Sequence, residues 1–215
     1  MTSPSNDSAA VHCGQAHTSQ TYFVGRLPSA VVGSGDPDAE AISAYVTPRC
    51  DRRLARWTGG SREVRLLSRL QAVWFLPTDE DLALGARWFR CDVVAYARGS
   101  RLTELPAGTE SLLDKDDALG TVGLCSQGSP EDPDSTPVSC DRRHGWRAFA
   151  VQRFEPARRG GYPPRSALRE ARDACSDSVR EQLGFPLEWT YGWQPPSMAS
   201  WDDGRDHGFC WIQDS

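Results

Sequence analysis

The sequence lacks long apolar segments, an excess of basic residues and the motifs of common enzyme classes. Only 39% of its 215 residues are hydrophobic, and the mean hydropathy is −0.53. No stretch reaches the roughly 20 apolar residues of a membrane-spanning helix, which predicts no membrane span in this chain. The formal net charge of −5 argues against nucleic acid as a partner. A Walker loop, GxSxG, HExxH and GxGxxG are all absent from the sequence.

The chain has seven cysteines, and none of them forms a CxxC pair. Zinc-binding thiolates usually lie two to four residues apart, whereas widely spaced cysteines in a polar chain favour disulfides. Disulfides in turn imply an oxidising compartment. The odd count leaves one thiol unpaired. The seven are Cys13, Cys50, Cys91, Cys125, Cys140, Cys175 and Cys210.

Residues 1–10 have neither the basic nor the apolar region of a signal peptide. Two interpretations are open. The protein is cytosolic with reduced, buried cysteines, or the chain lacks its original export segment. We favour the second interpretation because an internal repeat points to the same missing segment.

The repeat consists of two ungapped blocks that occur in the same order in each half. The first block, V-x-C-x3-H-x6-V-x-R, occupies residues 11–26 and 138–153. The second block, W-x2-P-x7-G-x5-C, occupies residues 74–91 and 193–210. Two such matches predict an internal duplication. Besides the cysteines, the matched residues that we expect to be structural are His17 and His144, Trp74 and Trp193, and Gly85 and Gly204.

Each half also contains one helix-like stretch with a central cysteine on its apolar side. In the first, Asp36 and Pro37 suit the start of a helix, and Pro48 predicts a kink or restart. The second opens at Pro163 and Pro164, and Gly184 stands where a C-terminal cap belongs. The central cysteines are Cys50 and Cys175.

Strand-like stretches flank both helices, so each half is predicted to be a β-α-β-β unit. The fold class is therefore α+β, with two tandem disulfide-bonded repeats over residues 1–108 and 119–215. The join falls around 105–118, and residues 126–137 are predicted to be an exposed loop. The predicted strands are Thr21–Leu27, Gln71–Leu76, Cys91–Ala97, Trp146–Phe154 and Leu187–Trp193, with a short strand after Cys210.

The repeat helps to choose among the possible disulfide pairings. The counterpart of Cys125 would fall just before Met1, so an upstream truncation explains both the odd thiol and the missing signal. The four cysteines of the second half allow three connectivities. We favour Cys125–Cys140 and Cys175–Cys210, with Cys50–Cys91 as the first-half equivalent and Cys13 unpaired. A Cys13–Cys50 bond would overturn this assignment.

These residues resemble the septum-formation domain family of actinobacterial envelope proteins, present as two degenerate tandem copies. The resemblance is carried by V-x-C-x3-H at 11–17 and 138–144, by Gly123-Leu124-Cys125 and by the late Trp/Gly/Cys block. The family usually has proline before the histidine, where this chain has Ala16 and Arg143, and the first G-x-C is absent.

The resemblance implies an extracytoplasmic module, often tethered by an N-terminal membrane segment or lipid anchor. The family name points to division-septum formation. No set of catalytic residues comes with the resemblance.

Two chemical hypotheses are alternatives to a structural role for the repeated cysteines and histidines. A nucleophile–base reading pairs Cys13 with His17 and Cys140 with His144. A zinc reading gathers one Cys3His set in each half, with His207 as an additional ligand. The zinc sets are Cys13, His17, Cys50 and Cys91, and then Cys140, His144, Cys175 and Cys210.

We therefore expect a non-enzymatic envelope protein, secreted or membrane-anchored, that acts through contacts with an envelope or division protein or with the cell wall. It is expected to have no catalytic residues, no metal and no cofactor. Trp201, which lies among charged residues, is the best candidate for an exposed contact. The alternatives are a zinc-stabilised cytosolic binding module and a Cys/His enzyme.

Overall fold

The computed structural model describes residues 9–32, 38–96, 101–132, 135–155 and 161–214. The strands are β1 Ser19–Arg26, β2 Leu70–Phe75, β3 Trp88–Ala95, β4 Leu124–Ser126, β5 Pro137–Ser139, β6 Trp146–Arg153, β7 Tyr191–Gln194 and β8 His207–Gln213. The helices are α1 Ser29–Val32, α2 Ala39–Thr58, α3 Arg62–Leu66, α4 Asp79–Ala83, α5 Ala118–Val122, α6 Arg165–Gln182 and α7 Met198–Asp202, with a 3-10 turn at Leu112–Asp114.

The chain forms two compact units. The first unit comprises Met1–Ser61 and Arg69–Asp116, and the second comprises Arg62–Ser68 and Asp117–Ser215. Residues 62–68 join the second unit because Leu67 packs against Ala148, Phe209 and Trp211. A sequence reading that follows chain order places this segment in the first repeat, since its partners are distant in the chain.

The first unit is a three-stranded antiparallel sheet in the order β1-β3-β2, covered by helix α2. Helix α2 follows β1 in the chain and contributes three consecutive turns of apolar residues to the core. Phe89 of β3 completes the centre of this core. The fully buried members are Leu27, Val32, Ile42, Val46, Cys50, Phe89 and Cys91.

The second unit is a five-stranded antiparallel sheet in the order β5-β4-β6-β8-β7. Helix α6 lies between β6 and β7 in the chain and packs on β6, β7 and β8. Its core cluster contains Phe154, Cys175, Trp193 and Cys210. Strands β4 and β5 extend this sheet, and the described part of the first unit has no equivalent of them.

The two units repeat one connectivity and one register. In each unit the strand before the long helix and the strand after it both pair with the last strand. Trp74 lies opposite Cys91, and Trp193 lies opposite Cys210. This arrangement confirms the predicted α+β class and is consistent with two β-α-β-β repeats.

Irregularities also occur at matched positions. The pairing of β1 with β3 shifts between Thr21 and Phe23, and the pairing of β6 with β8 shifts between Ala148 and Ala150. These positions correspond in the repeat. A β-bulge bends its strand and is a specific feature of a sheet. One bulge at the equivalent position of each unit therefore supports a common backbone structure.

The matched glycines follow matched short helices. Thr78 caps α4 and Ser197 caps α7, each through its side-chain oxygen. Gly85 and Gly204 come next with φ of +94° and +89°. Glycine adopts this left-handed backbone region without steric cost, which explains why the repeat keeps it.

Helix α2 differs from the sequence expectation at its first end and at Pro48. Asp38 caps α2 by accepting hydrogen bonds from the amides of Glu40 and Ala41, whereas the predicted Asp36 and Pro37 lie outside the described residues. Helix α2 continues through Pro48, so the predicted restart is wrong. Burial of Val46 and Cys50 on either side holds both turns against the core.

Helix α6 agrees more closely with the sequence. Pro164 is its N-cap residue, and Gly184 follows its C-cap with φ of +79°. The segment Leu187–Trp193 is a strand only from Tyr191 onward. The strand predicted after Cys210 is present and runs to Gln213, but it begins earlier than expected, at His207, so Cys210 lies at its centre.

Three disulfides are present, and they are the pairs favoured by the sequence. Their Cα–Cα distances are 5.5 Å for Cys50–Cys91, 5.2 Å for Cys125–Cys140 and 5.5 Å for Cys175–Cys210. Two of them join the long helix of a unit to the last strand of its sheet. Cys13 is an exposed free thiol.

Removing the helix-to-strand bond of the first unit is expected to destabilise it. The bond closes a sequence separation of 41 residues, and such a link contributes about 2–4 kcal/mol, largely by restricting the unfolded chain. We expect Cys50→Ala/Cys91→Ala to lower the free energy of unfolding in guanidinium by that amount. Cys13→Ser is the matched control and should leave it unchanged. An unshifted unfolding curve for the double variant would contradict this role.

Candidate functional site

The repeated histidines lie in equivalent turns ahead of β1 and β6. His17 Nδ1 donates to the carbonyl of Gln15 over 2.8 Å, and His144 Nδ1 donates to the carbonyl of Arg142 over 2.6 Å. In both turns the ring thus closes onto the backbone two residues earlier. This geometry gives the histidines a structural task.

The second histidine also contacts the end of the last strand. His144 Nε2 lies 3.0 Å from Asp214, which Arg147 binds through Nε and Nη2 at 3.0 and 3.2 Å. Hydrogen bonds from Arg147 lower the pKa of Asp214, burial opposes them, and His144 adds to the lowering. In the first unit the repeat places Ala95 where Asp214 stands, and His17 Nε2 is buried with no hydrogen-bond partner among the described residues.

The nucleophile–base reading finds no support in this geometry. The amide of Gln20 lies 3.8 Å from Cys13 Sγ, while His17 Nδ1 is engaged by Gln15. Within the described residues no hydrogen bond joins Cys13 to His17. In the second unit Cys140 is bonded to Cys125, so its sulfur is not a thiolate.

The zinc hypothesis requires cysteine sulfur atoms that are already in disulfide bonds. Cys50 is bonded to Cys91 and Cys175 to Cys210, and zinc binds thiolates. The ranges that the structure describes contain no cluster of three or more His, Cys, Asp or Glu side chains fit to hold a metal ion.

His207 instead belongs to an ionic cluster around Asp206. Arg62 and Arg153 each place a guanidinium nitrogen 2.9 Å from Asp206, and His207 Nδ1 lies 3.2 Å from it. Burial raises the pKa of Asp206, but hydrogen bonds from Arg153 and His207 outweigh it and leave the pKa lowered. Burial also lowers the pKa of His207, against the effect of Asp206.

The matched tryptophans are part of the packing. Trp193 is buried in the core of the second unit, and Trp74 packs on that of the first while donating to Thr47 over 3.1 Å. Trp201 packs edge-on against Phe154 and Tyr162 at ring-centroid distances of 6.3 and 6.0 Å. This packing corrects the expectation that Trp201 is an exposed contact.

The most distinctive polar feature was not singled out by the sequence analysis. It is a cavity of about 380 Å³ in the first unit, between β1 and α2, which we call the arginine-lined cavity. It is lined by Phe23, Gly25, Arg26, Tyr45, Arg49, Arg52, Arg53, Arg56 and Phe89.

Helical spacing produces this lining. Arg49, Arg52, Arg53 and Arg56 stand at positions i, i+3, i+4 and i+7, which places them on one side of a helix. The stripe runs beside the buried residues of α2, and Arg26 reaches the cavity from the end of β1. The i, i+3, i+4, i+7 pattern of arginines was visible in the sequence and is the signal that was missed.

Aromatic rings support two of the guanidinium groups. Arg49 lies over the ring of Tyr45, 3.4 Å from its centroid, and donates to the Tyr45 carbonyl over 2.6 Å. Arg53 lies over the ring of Phe23 at 3.7 Å. Such cation–π contacts fix the position of a charge without neutralising it.

The charges of the cavity are not balanced locally. Among the residues that the structure describes, none of the five lining arginines forms an ion pair, and the lining contains no carboxylate. Asp51 lies in electrostatic range of Arg52, and burial raises the pKa of Asp51 more than Arg52 lowers it. The arrangement can attract and hold an anion.

The floor of the cavity depends on the absence of a side chain at Gly25. A Cβ at this position would overlap Cζ and Cε1 of Phe89, which is 2% exposed. Glycine therefore lets Phe89 fill the core directly beneath the cavity.

The fold and its bonded cysteines define the class as a disulfide-bonded α+β protein built on two antiparallel sheets. The sequence model of the family described as "Septum formation" matches residues 2–210. The chain thus belongs to the septum-formation family, as its resemblance implied. One match runs through both halves, so the division into two copies of the family domain stays a prediction. No curated protein and no solved structure matches the chain.

Adding a methyl group at Gly25 tests the packing beneath the cavity. We expect Gly25→Ala to lower the free energy of unfolding by about 1–3 kcal/mol, because Phe89 must leave its packed position. Gly120→Ala is the control, since Gly120 has open space around its Cα and lies in helix α5. Guanidinium unfolding measures both. Equal, small effects would show that Phe89 does not occupy the space next to Gly25.

Proposed function

We propose that this protein is a non-enzymatic, extracytoplasmic envelope protein that acts through contacts with other proteins or with the cell wall. Membership of the septum-formation family and the three disulfides carry the proposal. Structural disulfides persist in oxidising compartments and are rare in the cytosol. Among the helices of the described ranges, none has the length and apolar character to cross a bilayer. Tethering by a membrane segment or lipid anchor stays a prediction of the resemblance.

A binding role is supported over catalysis by how the reactive groups are used. Six of the seven cysteines are bonded in pairs, and the repeated histidines close local turns. The arginine-lined cavity offers charge and shape without a nucleophile in its lining. It is therefore the surface through which we propose that the protein makes a contact.

Thiol trapping in cells tests the compartment. The protein would be produced from its natural gene, quenched in acid and treated with a large maleimide before and after reduction. We expect the six bonded cysteines to be unmodified before reduction and modified after it. Cys13→Ser is the matched control and should leave the modification of those six cysteines unchanged.

Seven modified cysteines before reduction, in a protein that fractionates with the cytosol, would contradict the proposal and favour the zinc-stabilised module. Rapid alkylation of Cys13 alone does not indicate an enzyme, because this thiol is exposed and unpaired.

A further inference from the structure

We propose that the arginine-lined cavity binds a ligand that carries two or more closely spaced phosphate groups. This deepens the proposed function by naming the ligand class of its contact surface. The chemical class of the ligand is inferred from the geometry of the cavity. Only the expectation that the phosphate belongs to a molecule of the cell envelope rests on the proposed function.

The first step is the unfavourable clustering of positive charge in the cavity lining. Arg49 with Arg53, and Arg52 with Arg56, are like charges four residues apart on a helix, which is a destabilising arrangement. Arg26 adds a fifth charge from β1. No carboxylate in the lining offsets them, although the whole chain is acidic at −5. A bound polyanion would relieve this repulsion.

The second step is a comparison inside the molecule. Counted from the bonded cysteine, the four helical arginines of the first unit correspond to four residues of α6: Ala174, Asp177, Ser178 and Glu181. The second unit keeps the bonded cysteine, the register and the bulge without these positive charges. The fold therefore does not require the arginines.

The matched strand residue shows the same contrast. Arg26 corresponds to Arg153, which pairs with Asp206 in the second unit. Arg26 has no ion pair or side-chain hydrogen bond to the described residues. The same position is thus neutralised in one unit and left open in the other.

The third step is the match of spacing and chemistry. Arg49 and Arg56 are separated by about 10 Å along the helix axis, a length that spans two or three linked phosphate groups. Guanidinium binds phosphate through two parallel hydrogen bonds. The stacked Arg49 and Arg53 are held in place, while Arg52 and Arg56 are exposed and can close on a ligand.

The size of the cavity and its charge density select phosphate. A volume of about 380 Å³ accommodates a short segment and excludes a nucleic-acid duplex. A ligand that neutralises five positive charges in this volume must hold several negative charges close together. Linked phosphates supply them more densely than carboxylates on a peptide.

Calorimetric titration of the oxidised chain of 215 residues at low ionic strength tests the proposal. The probes are orthophosphate, pyrophosphate, tripolyphosphate and oligoglutamate. We expect affinity to rise with the number of linked phosphates and to exceed that for oligoglutamate. Arg52→Gln/Arg56→Gln should weaken tripolyphosphate binding roughly tenfold or more, because each guanidinium forms charge-assisted hydrogen bonds.

Arg165→Gln/Arg169→Gln is the matched control, since it makes the same charge change at exposed positions of α6. It should change affinity less than about twofold, because neither arginine belongs to the cavity lining and exposed charges in water interact weakly with a ligand that they do not contact. Circular dichroism would verify that both double variants fold. No binding by the wild type, equal losses in both variants, or equal affinity for oligoglutamate would overturn the proposal.

Two further titrations distinguish the source of the phosphate. One uses soluble poly(glycerol phosphate), and the other uses vesicles of equimolar phosphatidylcholine and phosphatidylglycerol. Arginine-dependent binding to the first assigns a phosphodiester polymer, and to the second a lipid headgroup. Because these titrations use purified protein, their failure would leave the result of thiol trapping in cells standing.

Discussion

A buried covalent bond between the long helix and the last strand organises each unit. Cys50, Cys91, Cys175 and Cys210 are all fully buried, and each bond connects the centre of a helix to the centre of a strand. The sheets are small, and small cores bury too little apolar surface to be very stable alone. The bonds restrict the unfolded chain and fix where the helix lies on the sheet. The matched register around both bonds follows from this constraint.

The same constraint lets the two units differ in surface chemistry. Once Cys50 sets the rotation of α2 about its axis, the residues beside the buried stripe are free to vary. In the first unit they are arginines that line a cavity, and in the second they are acidic or small. The same backbone structure thus has a polycationic surface in the first unit, whereas the equivalent surface of the second unit lacks these positive charges. This separation of scaffold and charge is the main physical argument for a binding role.

The sequence was sufficient for features that both halves share. The two helix-to-strand disulfide pairs, the long helices and the α+β class were predicted with the help of the repeat, because matched residues such as Trp74 and Trp193 indicate a common register. Strand ends were less predictable, since β8 begins before Cys210 at residues without a strong pattern. The place of residues 62–68 depends on contacts distant in the chain. The cavity was missed because a search for repeated residues overlooks those in which the halves differ, such as Arg52 and Asp177.

Peptide mapping of the unreduced protein tests the central claim most directly. Proteolysis under acidic conditions prevents exchange between thiols and disulfides, and mass spectrometry then identifies the linked peptides. The account predicts the links Cys50–Cys91, Cys125–Cys140 and Cys175–Cys210, with Cys13 recovered as a free thiol. A link between Cys13 and Cys50, or a free Cys175 and Cys210, would contradict it.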